Sequence, residues 1–302
     1  MFADQSSRPH TSWKIHVLIL ALFVVLTVIF TWPFVLHLHD SVTSAGFGPD
    51  QMFATWAIGW IVHAATTSQR FFDANIFYPT KDALLYSDPF LSTALIMSPI
   101  TFLLKDPLLA YNLFILLTFI LSGFGAYLLL HFYTKNIPAA VVAGVAFAFS
   151  PFRMGWIGQA HILTLLYLPF AVYFFEQYLL TKWPRYLWIS SLFFAFQLYQ
   201  SVYAAAYSMF FFVAFAVFRL WRHQVSRSRL FWMHFGSITV CIGLISILYF
   251  GPFLKFHASQ PKLQTNLKNI QISSVQPIDF FSPQLDNNRT YSYLVKKKYL
   301  PK

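Results

Sequence analysis

Charged residues are scarce in this chain. Of its 302 residues only 10% are Asp, Glu, Lys or Arg, whereas 57% are hydrophobic and the mean hydropathy is +0.56. Soluble domains carry about 25% charged residues. The composition therefore excludes a soluble globular domain and indicates a protein whose helices are surrounded by lipid.

Cysteine and the short motifs of soluble enzymes are also missing. The one cysteine, Cys241, can form neither an intramolecular disulfide nor a zinc site with other cysteines. No phosphate-binding glycine loop, His-Glu-x-x-His helix or nucleophile elbow occurs in the sequence. Any chemistry must therefore come from carboxylates and histidines at the membrane surface.

The sequence has instead long apolar runs with few charges. A run of about 20 apolar residues matches the ~30 Å hydrocarbon core of a bilayer. We predict an all-α fold, a polytopic transmembrane helical bundle of about seven spans. The seven runs are residues 15–36, 107–130, 137–152, 161–180, 183–200, 202–220 and 231–253. The predicted divisions are a cytoplasmic N-terminus at 1–14, the transmembrane domain at 15–254 and an extramembrane segment at 255–302.

The first outer loop, residues 37–106, is predicted to contain helices that do not cross the membrane. Its first helix, at 51–65, is expected to lie along the interface with one face turned to the lipid. The side chains spaced for that face are Met52, Trp56, Trp60 and His63. The stretch 89–104 is apolar but short for a span, so we predict that it lies within or along the outer leaflet.

The positive charges indicate which side is cytoplasmic. On one side, the N-terminus and the short connections hold Arg8, Lys14, Lys135, Lys182, Arg185, Arg219, Arg222, Arg227 and Arg229. The facing short connections hold only Arg153. The positive-inside rule therefore predicts a cytoplasmic N-terminus. We expect a multi-pass protein of the plasma membrane. The net charge of +11 then reflects topology and anionic-lipid contact, and we expect no nucleic acid as a partner.

Asp50 is the first candidate for chemistry. It follows Gly48-Pro49 and precedes the predicted interfacial helix. A carboxylate there could be partly desolvated by the membrane face and serve as a general base. It could also be the N-cap of a helix beginning at Gln51, which Asp suits well. Spacing alone favours the cap, and the two roles are compatible.

Two further acids have simpler interpretations beside functional ones. Asp40 follows His37 and His39, but a His-x-His pair does not share one helix face, so metal ligation is disfavoured. Asp88 precedes Pro89 and could be a residue that starts a helix. We therefore assign no metal ligands, while a divalent cation stays possible as a cofactor.

The second outer loop, 152–160, and the span after it offer polar groups of another kind. Arg153, Gln159 and His161 could hold a lipid phosphate together with a helix N-terminus. The alternative is that Arg153 snorkels and only anchors a short span among headgroups, and the residues alone do not separate the two. Glu176, near the inner end of the next span, is expected to be solvated at the interface.

Several short motifs follow one another in an order that resembles a known family. They are Thr31-Trp32-Pro33, Gly48-Pro49-Asp50 followed by Trp56 and Trp60, Phe77-Tyr78-Pro79, Ala110-Tyr111-Asn112, Ser122-Gly123-Phe124-Gly125-Ala126-Tyr127, Phe147-Ala148-Phe149-Ser150-Pro151-Phe152-Arg153, Gly158-Gln159-Ala160-His161 and Ile278-Asp279-Phe280-Phe281-Ser282-Pro283. The order resembles the N-terminal part of a GT-C type membrane glycosyltransferase, nearest to the YfhO-like group and more distantly to protein O-mannosyltransferases. Members usually run longer, so the chain is expected to be the N-terminal part of such a protein.

The resemblance implies a transferase at the outer membrane face. It implies a sugar donor carried on a polyprenyl phosphate, and gives Asp50 the role of activating an acceptor, which could be a lipid, a polysaccharide or a protein. Some relatives place acidic metal ligands in the second outer loop, but here that loop has no acid. Its polar groups are Arg153, Gln159 and His161, and the further candidates are Asp40, Asp88 and Asp279.

Two other functions stay open on the sequence. A transporter of lipid or sugar should show polar residues in mid-span, and the predicted spans are nearly free of them. A non-catalytic or truncated membrane scaffold is favoured if activity needs a C-terminal half that this chain lacks. The membrane lipids are partners in every case.

The topology gives a first testable expectation. Reporter fusions at Gln224 and Gln264 should lie on opposite sides of the membrane, because the run 231–253 separates them. An enzymatic reporter active only in the cytoplasm and one active only outside would measure this. If both fusions lie on the same side, the run 231–253 does not cross the membrane.

Overall fold

The structure is a computed structural model that describes residues 12–43, 48–88, 90–222 and 228–260. It divides into two compact units, Met1–Pro252 and Phe253–Lys302. In the second unit the described residues, 253–260, are helical up to Ser259. Eleven α-helices and two short 3-10 helices make up the regular structure of the described ranges, which contain no β-strand. The predicted all-α class is confirmed.

Six helical segments of the described chain are long and apolar enough to cross a membrane. They are Trp13–Phe30, Pro107–Thr134, Ile137–Gly155, Ala160–Thr181, Val202–Arg222 and Arg229–Ser259. The first, second, fifth and sixth are single helices, named here α1, α4, α10 and α11. The third contains α5 (Ile137–Ala148) and α6 (Pro151–Gly155), and the fourth contains α7 (Ala160–Leu163) and α8 (Tyr167–Thr181).

The seventh predicted run also forms a helix, but a shorter one. Helix α9, Pro184–Leu198, has 15 residues and is therefore about 22 Å long, less than the ~30 Å hydrocarbon core. The chain turns between the predicted runs 183–200 and 202–220, since α9 ends at Leu198 and α10 begins at Val202. Six segments rather than seven thus reach the length of a span.

Side-chain caps and prolines determine where several helices begin. Asp106, Asn136 and Ser150 each accept a hydrogen bond from the backbone amide three residues ahead, and a proline follows each within two residues. Such caps satisfy amides that the helix itself leaves unpaired. Helices α4 and α8 end on Lys135 and Lys182, both in the left-handed conformation that closes a helix.

Helix α4 lies at the centre of the bundle, in contact with α1, α5 and α8. Its Gly123 allows a close approach, because an added Cβ there would lie 2.3 Å from Cε1 of Phe23 in α1. A Cβ on Gly144 of α5 would lie 2.6 Å from the Gly123 carbonyl oxygen. Small residues of this kind let transmembrane helices pack at short range. The three residues therefore fix α1, α4 and α5 together.

The helix predicted at 51–65 is α2, Gly48–Thr66, and it packs differently from the expectation. Met52 is 68% exposed and His63 is exposed, but Trp60 is only 8% exposed. The indole nitrogen of Trp60 donates a hydrogen bond to the carbonyl of Phe71 at 2.9 Å, which holds the ring under the following loop. The predicted face is kept, since the rings of Trp60 and His63 lie 5.7 Å apart, but at Trp60 it is covered by the loop instead of being turned to lipid.

The stretch predicted at 89–104 contains α3, Leu91–Leu103, which is 13 residues or about 20 Å long. Residues before α3 meet the α9–α10 turn, where Asp88 accepts from the amide of Val202. The residue just before α4, Asp106, contacts His39 in the loop after α1 at 2.8 Å. Both flanks of α3 thus contact loops at the same end of the bundle, and α3 does not run from one end to the other.

At the opposite end, α8 and α10 are joined by a buried ion pair. Arg219 donates two hydrogen bonds to the two carboxylate oxygens of Glu176, and both residues are buried. Tyr133 of α4 also hydrogen-bonds to Glu176. The expectation that Glu176 is solvated at the interface is wrong, because a partner 43 residues away replaces water.

Removing one partner of this pair should destabilise the bundle. Arg219→Leu leaves the Glu176 carboxylate buried without a counter-charge, which costs about 3–5 kcal/mol. Arg222 is exposed in the same helix turn, so Arg222→Leu should change the stability by less than about 0.5 kcal/mol. Thermal unfolding of the detergent-solubilised protein measures both.

The double variant Glu176→Leu with Arg219→Leu should be more stable than Arg219→Leu alone, because no charge is left unpaired. Equal unfolding temperatures for Arg219→Leu and Arg222→Leu would show that the pair does not hold the helices together.

Candidate functional site

The candidate site lies where the start of α2 meets the turn before α7. Asp50 is the third residue of α2 and is exposed. Its Oδ2 accepts a hydrogen bond from Nε2 of Gln159 at 3.3 Å. Because α2 begins at Gly48, the expectation that Asp50 caps a helix starting at Gln51 is wrong. Asp50 lies inside the first turn, where a negative charge is favoured by the helix dipole.

The turn that carries Gln159 is held from two sides. Gly158 has φ +98, and a Cβ there would lie 2.3 Å from the carbonyl oxygen of Thr43, so only glycine fits. Tyr111 of α4 donates its hydroxyl proton to the Gly158 carbonyl and interacts with the amide of Ala160. The turn is thus fixed to α4, and the orientation of Gln159 toward Asp50 follows from that fixation.

His161 follows this turn and lies close to two carboxylates. Asp88 and Asp50 both interact electrostatically with its imidazole. The edge of its ring is set against Phe90 at a centroid distance of 6.3 Å. The structure therefore brings Asp50, Gln159 and His161 together, with Asp88 as a second acid beside the histidine.

Asp88 is hydrogen-bonded to the start of α10. Its Oδ1 accepts from the backbone amide of Val202 at 2.9 Å, and the hydroxyl of Ser201 also hydrogen-bonds to it. Burial raises the pKa of this carboxyl, against the opposing effects of the Val202 amide and His161. The role of a helix-start residue is thus found, but for α10 rather than for the helix that follows Asp88 in sequence.

Arg153 is not part of this site. Its guanidinium is buried and donates to three carbonyls, those of Ala148 at 3.0 Å, Leu163 at 2.8 Å and Thr118 at 3.1 Å. It also lies over the ring of Phe119. The side chain neither snorkels to the surface nor points outward to a phosphate. We assign it a structural role, because its donors are directed at carbonyls left over where α5 and α7 end.

Asp40 forms its hydrogen bonds within the loop that follows α1. Asp40 is exposed and hydrogen-bonds to Ser41 and His37, and these contacts lower the pKa of its carboxyl. Asn112 of α4 donates to the carbonyls of Leu38 and Ser41 at 2.8 Å each. No described contact joins Asp40 to Asp50, and Asp279 lies outside the described residues. Within the described ranges no group of three or more His, Cys, Asp or Glu is gathered that could hold a metal ion.

Two residues that build the site were not predicted as functional. Tyr111 positions the turn of Gln159, and Asn112 anchors the loop after α1. Both appeared in the sequence only within the motif Ala110-Tyr111-Asn112. Their common signal was a pair of polar groups in an otherwise apolar span, which in a membrane calls for hydrogen-bond partners.

The structural assignment of Arg153 can be tested against the phosphate hypothesis. Arg153→Met leaves the buried carbonyls of Ala148 and Leu163, at the ends of α5 and α7, without the donors that Arg153 supplies, and should cost at least about 2 kcal/mol of stability. Arg153→Lys restores one donor group and should lie between. Arg185→Met, at an exposed arginine, is the control. Thermal unfolding distinguishes the hypotheses, since a phosphate ligand could be removed with little loss of stability.

Comparison with known proteins assigns the chain to a family. The family model described as 6-pyruvoyl-tetrahydropterin synthase related domain, membrane protein, matches residues 89–295, which is more than half of the 302 residues. Neither the curated proteins nor the solved structures compared with the chain gave a match. The match begins one residue after Asp88 and includes Gln159 and His161. The chain therefore belongs to the family of membrane proteins with the 6-pyruvoyl-tetrahydropterin synthase related domain, and it is an integral, multi-pass membrane protein.

Proposed function

We propose that the protein is a membrane glycosyltransferase of the GT-C type, which moves a sugar from a polyprenyl-phosphate-linked donor to an acceptor at the outer face of the plasma membrane. One observation carries the proposal. The exposed carboxylate of Asp50, at the start of α2, is bound by Gln159 beside His161, at the end of the bundle predicted to face outward. The order of sequence motifs that resembles this class supports it independently.

The reaction requires one proton transfer and one bond exchange. The acceptor hydroxyl oxygen attacks the anomeric carbon of the sugar, and Asp50 takes the hydroxyl proton. The bond between that carbon and the donor phosphate breaks, and the polyprenyl phosphate leaves with the bonding electrons. A base positioned for such a step typically contributes 10²–10⁴-fold to the rate. Asp50 suits this role because it is accessible and held in one orientation by Gln159.

Gln159 and His161 are the groups proposed to face the donor phosphate. The Gln159 amide and the imidazole can both donate hydrogen bonds to phosphate oxygens. Arg153 has no part in this proposal, because its donors are used within the fold. A divalent cation is given no step.

Transport of a lipid or sugar is a second candidate, and one observation favours it. Charged residues inside spans often mark a transport pathway, and Glu176 and Arg219 lie in two candidate spans. Both charges are directed at each other, however, and are buried. This arrangement suits a link between helices better than a pathway, so transfer is the function we propose.

Replacing the base without changing its shape tests the proposal. Asp50→Asn should lower sugar transfer by about 10²–10⁴-fold, because the amide cannot accept the proton. The loss of one charge in the first turn of α2 should cost only about 0.3–1 kcal/mol of stability. Asp82→Asn, at an exposed acid in the same loop, is the matched control and should keep full transfer. Transfer is measured in membranes with a panel of radiolabelled polyprenyl-phosphate sugars.

If Asp50→Asn transfers sugar at the wild-type rate, Asp50 is not the base. A wild-type protein that transfers none of the sugars, yet is folded and inserted, would instead favour the non-catalytic scaffold.

A further inference from the structure

A second feature of the molecule is an apolar groove between α3, α9 and α11, with a volume of about 370 Å³. One wall is a stripe along α9 formed by Trp188, Leu192, Ala195 and Tyr199. The facing wall includes Cys241 and Ile245 of α11. From Trp188 to Tyr199 the stripe advances by eleven residues, and at a rise of ~1.5 Å per residue it is about 16 Å long. This is about half of the ~30 Å hydrocarbon core, the depth of one leaflet.

The groove opens toward the surroundings of the bundle rather than into its core. Its rim residues Leu95, Leu192 and Ile245 are 63%, 52% and 60% exposed. Ile245 lies in α11, one of the candidate spans. In an integral membrane protein a surface of this kind faces hydrocarbon, so the groove can be filled from the side by lipid.

The polar groups of the groove are already satisfied within the protein. Ser92 donates to Oε1 of Gln200 at 2.6 Å, and Tyr199 hydrogen-bonds to Ser246 at 3.0 Å. Neither hydroxyl needs a further polar partner. A polar ligand would therefore lose its hydration without gaining hydrogen bonds, whereas a hydrocarbon chain loses nothing on entering.

The groove has a definite polar end. Ser92 and Tyr199 lie at the beginning of α3 and the end of α9, next to the turn whose Val202 amide binds Asp88. From there the stripe on α9 continues toward Trp188 and away from the candidate site. An amphiphile with its head at the surface and its chain along α9 would match this polarity.

We propose that this groove binds one acyl chain of a membrane phospholipid from the leaflet nearer the candidate site. The length of one leaflet fits an acyl chain, and the bilayer supplies phospholipid to a lateral opening at high concentration. The acyl chain fills the space between α9 and α11 and contacts the first turn of α3. This site does not depend on the transferase proposal, since it uses none of the residues that would carry the reaction.

The test uses phosphatidylcholine with a photoactivatable diazirine at the end of one acyl chain, in vesicles that contain the full-length protein. After illumination, mass spectrometry of the peptides should place the cross-link on α9 and on the segment around Cys241. Cys241→Phe fills the groove from α11 and should abolish these cross-links. Cys241→Ala keeps the groove open and should retain them, as should Val240→Phe, which adds the same ring at an exposed neighbour outside the groove.

Ala195→Leu fills the groove from α9 and should repeat the effect of Cys241→Phe, so the result does not depend on one variant folding. Cross-links that persist in both filled variants would overturn the proposal. Preferential displacement of the phospholipid by a polyprenyl phosphate would overturn the assignment of the occupant. Loss of sugar transfer in Asp50→Asn would leave the cross-links unchanged, so the two proposals fail separately.

Discussion

The connection between α5 and α8 depends on one buried guanidinium. Helix α5 ends at Ala148, and the chain then forms two short helices before α8 begins. Each break leaves carbonyls without helical partners, and in a membrane such groups must be satisfied inside the protein. Arg153 supplies the donors for Ala148, Leu163 and Thr118, and thereby ties both breaks to α4.

That broken connection is what makes a site possible. A continuous helix could not bring Gln159 and His161 side by side to the start of α2, because it would spread them over opposite faces. The turn at Gly158 does so, and Tyr111 fixes it from α4. The guanidinium and the tyrosine thus hold the irregular backbone between α5 and α8 in place, by satisfying polar groups that the broken helices leave over.

The sequence predicts the helices well and their pairings poorly, for a physical reason. Apolar length and capping residues act locally, so the spans and the starts of α4, α5 and α6 could be read from Asp106, Asn136 and Ser150 and the prolines after them. The contact of Gln159 with Asp50 joins residues 109 apart, and that of Arg219 with Glu176 joins residues 43 apart. No periodicity encodes such partners. Burial is equally hidden, which is why the sequence suggests a surface position for Arg153, as a phosphate ligand or as an anchor, and an interfacial one for Trp60.

The packing of Phe23 against Gly123 and Gly144 has a consequence for how the protein is made. Phe23 lies in α1, which leaves the ribosome before α4 and α5, and the glycines that contact Phe23 are synthesised about a hundred residues later. Until α4 and α5 are both in the bilayer, α1 has no partner for this contact and must persist as a single inserted helix, which its apolar surface allows. The bundle can therefore assemble only after the α4–α5 hairpin is inserted, and α1 then packs onto a surface that is synthesised later than α1 itself.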